Sequence, residues 1–270
     1  MENSNIFFQG DNNILFIEDG VVLNNARIHF SGSNSLIYLR KSRHKIKVNL
    51  QIGQDSLLFV GKDNYFNDTL HISATEWQSV IVGNNCLFSF GIWLRTADPH
   101  LVYSTETNQR INHSKPILIG DHVWIGQDSL ILKGTQIGSG SIVGGHSVVA
   151  GKKLPSNTIY GGNPAKQIRG GAFWLDNCTH TWTEERSKEW NCPPPPDTGL
   201  PEKDKWTYSE TEDTLDMQEL FCAVRRQEGA AARLAWVQET LVDHEAKDRF
   251  YAAPAGPAKK GRFWNRRDDV

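Results

Sequence analysis

The chain has 270 residues, a net charge of −2 and 39% hydrophobic residues. That length holds one large domain, or one domain with an appendage, and the near-neutral balance argues against nucleic acid or an anionic membrane surface as a partner. Cys86, Cys178, Cys192 and Cys222 show no CxxC pairing, which reads as reduced thiols in a cytoplasmic protein rather than a disulfide framework or a zinc site. No apolar run approaches 18 residues, and the first ten residues lack the basic stretch of a secretion signal.

Residues 1–45 read as a cap of irregular early coils or a small sheet, because 14–40 alternate apolar and polar residues. From Ile46 a soft period of six begins with Ile46, Ile52-Gly53 and Leu58. It slips by two to Val60-Gly61, Phe66 and Ile72, then resumes at Val82-Gly83, Phe88 and Leu94. These coils are noisier, with Leu57-Leu58-Phe59-Val60 doubling the apolar count, and slippage of that kind reads as a corner insertion. The pattern stops after Leu94, and the polar stretch 95–116 must be a loop thrown out from one corner of an otherwise regular scaffold. Such loops are where function concentrates.

From Ile119 the sixes are clean. Ile119, Ile125, Ile131, Ile137, Val143 and Val149 open successive hexads; glycine follows at Gly120, Gly126, Gly138 and Gly144. Position five is Val123, Ser129, Thr135, Ser141 and Ser147, until Lys153 breaks the run. A strict six fits neither a helix nor a lone strand, but it fits a parallel β-helix with one short strand and one corner per hexad. The aliphatic residue should point into a narrow prism, the small residue should fill the inner corner, and the glycine should let the backbone turn sharply.

After Leu154, Pro155 to Pro164 is turn chemistry that winds the last coil down. Residues 170–270 hold six of the nine tryptophans, the stiff Pro193–Pro196 piece, and two helical stripes. These are Met217, Leu220, Phe221, Val224 and then Leu234, Val237, Leu241, Val242, with a capping box expected at Ser209 and Glu212. We read them as a C-terminal extension packed on the β-helix or on a neighbouring subunit, ending in a charged, loose tail from Lys259.

The hexad run, with Gly161-Gly162-Asn163-Pro164-Ala165-Lys166 after it, resembles the left-handed β-helix (hexapeptide-repeat) acyltransferases over about residues 45–170. The branch that O-acetylates sugars, including the polysialic-acid capsule enzymes, is the most similar. The resemblance implies a left-handed coil over 46–169, a homotrimer with its active site between subunits, and acetyl-CoA as donor.

It also implies site residues. His100, at the base of the excursion after Asp98-Pro99, falls where the family has its general base, and a neutral imidazole suits removal of a proton from a sugar hydroxyl. Asp98 is a weak candidate to orient it. The alternative for His100 is an ordinary surface histidine. Trp124 falls where the polysialic-acid enzymes pair a tryptophan with that histidine; the alternative is an aromatic that only packs a subunit boundary. Gln127, Gly145 and Ala150 correspond to coenzyme A contacts in the galactoside enzymes, and Lys166 and Arg169 to phosphate-binding basic residues, with Lys152 and Lys153 as extras. Ala150-Gly151 departs from the usual Thr-Lys at that place. The histidine pair of the zinc-binding β-helix branch is absent, and His122 and His146, at position four of their hexads, read as exposed structural residues without a metal role. The loop residues Tyr103, Asn108, Arg110 and Asn112 are candidates for sugar hydroxyls.

The expected function is transfer of an acetyl group from acetyl-CoA to a saccharide hydroxyl. N-acetylation of an amino sugar, and a non-enzymatic β-helix scaffold or sugar-binding module, are the alternatives.

Overall fold

The computed structural model describes residues 1–193 and 201–254. Pro194–Pro196 and the tail from Lys259 lie outside the described residues.

Twenty short strands form three sheets of seven, six and seven strands, stacked in parallel except for Thr158–Gly161 against Lys166–Gly170, which is antiparallel and ends the stack. The chain visits the sheets in turn, so it winds as a parallel β-helix. All six hexad-opening residues, Ile119 to Val149, are fully buried in the prism. The first sheet starts at Asn5–Phe8 and passes through Arg27–Phe30, Val48–Ile52, Leu70–Ala74 and Trp93–Arg95 to Leu130–Leu132 and Val148–Ala150.

The early coils are regular, contrary to the expected irregular cap. Asn5, Arg27, Asn49, His71 and Trp93 are successive partners across the first sheet, each 22 residues after the last. The clean hexads close a coil in 18: Trp124 pairs with Ile142 and Leu130 with Val148. The apparent slip before Leu94 therefore comes from longer coils. The doubled apolar run has a different cause. Leu58 and Val60 point into the prism, while Leu57 and Phe59 point outward and are buried by the C-terminal extension.

The hexad chemistry differs in one respect from expectation. None of Gly120, Gly126, Gly138 or Gly144 adopts a positive φ. Gly126 is needed because a Cβ there would sit 2.6 Å from the Gly145 amide nitrogen of the next coil. The left-handed turn falls at position four, where His122, Asp128, Gly134, Gly140 and His146 have φ between 54° and 77°; Gly, Asn, Asp and His tolerate this region best. The buried hydroxyls at position five hydrogen-bond backbone carbonyls, as in Ser141 Oγ to Pro155 O at 2.7 Å and Thr135 Oγ1 to Val149 O at 3.2 Å. Small polar residues are thus satisfied inside an apolar prism.

The extension packs on its own chain. Helices Met217–Arg226 and Gly229–Val237 lay Met217, Leu220, Phe221, Val224 and Val237 over the outward residues Leu36, Tyr38, Leu57, Phe59, Ile81 and Leu118 of the third sheet. The expected cap at Ser209 does not form. Asp216 caps the helix instead, accepting from Glu219 N at 2.7 Å, and Ser209 N donates to Asp248. No helix among the described residues is long and apolar enough to cross a membrane.

Candidate functional site

The excursion is an ordered hairpin rooted on the coils beneath it. Tyr103 and Arg110 form an antiparallel bridge. Arg110 clamps Glu76 with both ends of its guanidinium, at 2.8 and 3.0 Å, and this hydrogen bonding holds the Glu76 carboxyl below its ordinary range. Asn112 is the buried centre of the root. Its amide donates to Asp98 Oδ2 at 3.0 Å and to the His100 carbonyl at 2.7 Å, and its oxygen accepts from the Val102 amide at 2.9 Å. Two of the four loop residues read as sugar contacts, Arg110 and Asn112, have side chains engaged in this way, whereas Tyr103 enters only the backbone bridge and its side chain is exposed.

His100 follows this root with its side chain exposed. Asp98 does not hold the imidazole. Its Oδ2 is taken by Lys133 Nζ at 2.5 Å and by Asn112, and the Lys133 hydrogen bond lowers its pKa. Lys133 ties the loop to the rung below, because its carbonyl accepts from Gly151 N at 3.1 Å. Ala150 lies two rungs from the base of the excursion, in the column Arg95, Leu132, Ala150 of the first sheet.

Trp124 opens strand Trp124–Ile125 in the second sheet and is 38% exposed. Its indole N–H reaches Ser89 Oγ at 3.3 Å. Within one chain His100 and Trp124 thus belong to different faces of the prism. Gln127 and Gly145 stack one above the other at the corner joining the second and first sheets, where His146 N donates to Gln127 O at 2.7 Å. Lys166 and Arg169 lie exposed on the closing antiparallel strand Lys166–Gly170. Lys152 bonds the Ala165 carbonyl, which leaves it pinned, whereas Lys153 is exposed.

His122 is not exposed. Its ring is buried between Trp174 and Trp206, with centroids 4.1 and 3.6 Å away and nearly parallel planes. Its Nε2–H donates to the Trp174 carbonyl at 3.0 Å, and the Trp174 indole N–H returns a bond to the His122 carbonyl at 2.9 Å. Burial pushes its pKa down to about 4. Only the position of His146 matches expectation: it is exposed, with Nε2 3.6 Å from Asp128.

Residues 116–151 match the sequence profile described as bacterial transferase hexapeptide (six repeats). Around this hexapeptide core the chain is 30% identical over 126 residues to a polysialic acid O-acetyltransferase of Neisseria meningitidis, covering 46% of this chain and 58% of that one. It is 32% identical over 121 residues to a putative lipopolysaccharide biosynthesis O-acetyl transferase of Escherichia coli K12, covering 42% and 60%. The matches thus span less than two thirds of these relatives. The crystal structure of the polySia-specific acetyltransferase NeuO superposes with a TM-score of 0.55 at 24% identity, covering 70% of this chain and 97% of that one. The polysialic acid O-acetyltransferase OatWY gives 0.50 at 22%, covering 68% and 98%. These two likenesses speak to the hexapeptide fold alone.

Proposed function

We propose that the protein is an acetyl-CoA-dependent O-acetyltransferase acting on a hydroxyl of a saccharide, with its active site at a seam between copies of a homotrimer. The observation that carries this reading is the exposed imidazole of His100 on a root fixed by Asn112, on the same sheet as Ala150 and two rungs from it. An imidazole held at its backbone and open at its ring is what general-base chemistry needs.

In this reading His100 takes the proton from the sugar hydroxyl as its oxygen attacks the thioester carbonyl. The tetrahedral intermediate then expels the coenzyme A thiolate, which recovers the proton from the imidazolium. The chain offers no partnered serine or cysteine nucleophile in the repeat, so direct attack within a ternary complex is the simplest course. Trp124, on another face of the prism, meets His100 of a neighbouring copy, where its indole N–H turns from the long Ser89 bond toward the thioester as charge develops. Gln127, Gly145 and Ala150 line the donor groove, and Lys166 and Arg169 meet its phosphates.

The test is release of free coenzyme A from acetyl-CoA with sugar acceptors. His100→Ala and His100→Gln are each expected to fold normally and to lose at least about 10²-fold in turnover. Near-normal turnover in both overturns the assignment.

A further inference from the structure

The corner that leads from the first sheet to the third recurs once per coil. In four successive coils it carries Asn12, Asn34, Asp55 and Trp77 with φ of 56°, 61°, 49° and 49°, and in the next coil it opens into the His100 excursion. Asparagine and aspartate tolerate this backbone region, whereas a tryptophan in it is an outlier that costs stability. Trp77 is also 56% exposed. Glu76 beside it, at φ 56°, is the residue that Arg110 clamps.

The C-terminal helices close a cleft of about 520 Å³ over this corner, lined by Asn34, Asp55, Trp77, Arg225, Gly229 and Arg233. Two features of the cleft call for an anion. The first is Arg233, which is only 5% exposed. Its Nη1 donates to the Asn34 carbonyl, its Nε has no hydrogen-bond partner among the described residues, and the Asp55 carboxylate stands 3.9 Å from Nη2, beyond hydrogen-bond reach. Burial pulls its pKa below the ordinary arginine value, with Asp55 opposing. A buried charge is ordinarily both paired and hydrogen-bonded, and this one is neither in full. The second is the N-terminus of helix Gly229–Val237. No side chain caps it and its first turn holds no acidic residue, so its leading amides and the positive end of its dipole stay uncompensated. The helix before it is capped by Asp216. Helical side chains lean toward the N-terminus, so Arg233 and the uncapped end converge on one place. Among the charged groups facing the cleft, Asp55 and Glu228 balance Arg225 and Arg233, and the helix end tips the sum positive.

We propose that this cleft is a binding site for a phosphate monoester carried on a flat ring. The guanidinium of Arg233 and the uncapped amides suit a tetrahedral oxyanion, and the ring lies against the indole of Trp77 at the rim. The volume lies within the range of small-molecule sites. Trp77 sits in its unfavourable conformation because the ring it offers has a use there, the usual meaning of strain held in a rigid scaffold. The site stands one coil from the excursion and is independent of the acetyl transfer proposed above.

Phenyl phosphate, inorganic phosphate and phenol are titrated into the whole protein by calorimetry. Phenyl phosphate is expected to bind saturably at one per chain, inorganic phosphate about tenfold more weakly, and phenol not at all. Trp77→Asn, which suits φ 49°, should lose about tenfold for phenyl phosphate, leave inorganic phosphate unchanged, and unfold at no lower urea concentration than the parent. Arg233→Met should lose both phosphates. Should that variant fail to fold, Trp77→Asn and the inorganic phosphate titration still decide. Phenol binding as tightly as phenyl phosphate would overturn the proposal by making the cleft an apolar slot. So would parent-like phenyl phosphate affinity in Trp77→Asn, or displacement of phenyl phosphate by coenzyme A, which would put the probe in the donor groove. Absence of saturable binding by either phosphate would end it outright, and none of these results bears on acetyl transfer, which the coenzyme A release assay reads separately.

Discussion

The Arg249 guanidinium, fully buried, closes on the Asp121 carboxylate with Nε to Oδ2 at 3.0 Å and Nη2 to Oδ1 at 2.9 Å. Asp121 is the third residue of the first clean hexad, and its Oδ1 also accepts from the Asn84 amide at 2.6 Å in the coil before. Arg249 Nη1 donates to the Leu241 carbonyl at 2.8 Å. One ion pair therefore links two coils of the prism to the helical extension.

Removing one partner of a buried pair leaves the other charge without compensation, which costs about 3–5 kcal/mol. Arg249→Met and Asp121→Asn are each expected to lower the unfolding free energy by that order in urea titrations. The double variant should lose clearly less than the sum, because neither charge is then stranded. Additive losses would mean that the two groups act independently and that the clasp does not hold the extension down.

His122 makes the same junction sensitive to pH. Its pKa falls from 6.5 to about 4 chiefly through burial between Trp174 and Trp206, with the Trp174 carbonyl opposing the shift. Between those values the unfolded chain binds the proton and the folded one does not, so stability falls as pH drops from 6.5 toward 4 and is unaffected by this group above 6.5. About 2.5 pH units at 1.36 kcal/mol each set a ceiling of roughly 3 kcal/mol. His122→Asn keeps a residue suited to φ 54° and removes the titration. The difference in stability between parent and variant should therefore shrink across that window. A difference that stays constant from pH 7 to pH 4 refutes the assignment.

How much of this was legible beforehand follows from what a six-residue period can report. Ile119 to Val149 announced the prism because each coil there is three equal hexads. The coils through Asn5, Arg27, Asn49 and His71 hid theirs, since 22 residues do not divide by six and Leu57 and Phe59 added outward apolar residues to the inward set. Continuous apolar strands such as Leu36–Leu39 and Leu57–Val60 were the available signal that both faces are covered. The helical stripes of the extension were readable, but not the surface they cover. Arg249 and Asp121 are 128 residues apart and neither sits in a motif. His100 and Trp124 were singled out by resemblance alone; the root that Asn112 builds under His100 depends on loop geometry that no periodicity encodes.

That root supplies a further test of the proposed chemistry. Asn112 alone joins the Asp98 carboxylate, the His100 carbonyl and the Val102 amide, so Asn112→Ala should let the backbone at His100 wander while the prism stays intact. A displacement of about 1 Å at a reacting group can cost on the order of 10²-fold. Turnover in the coenzyme A release assay is expected to drop by about 10-fold or more, with KM for acetyl-CoA near the parent value, because Gln127 and Gly145 stand at another corner. The melting temperature should move by only a few degrees, since the loop contributes no buried apolar cluster to the prism. Parent-like turnover in a folded Asn112→Ala protein would show that the position of His100 does not govern the reaction.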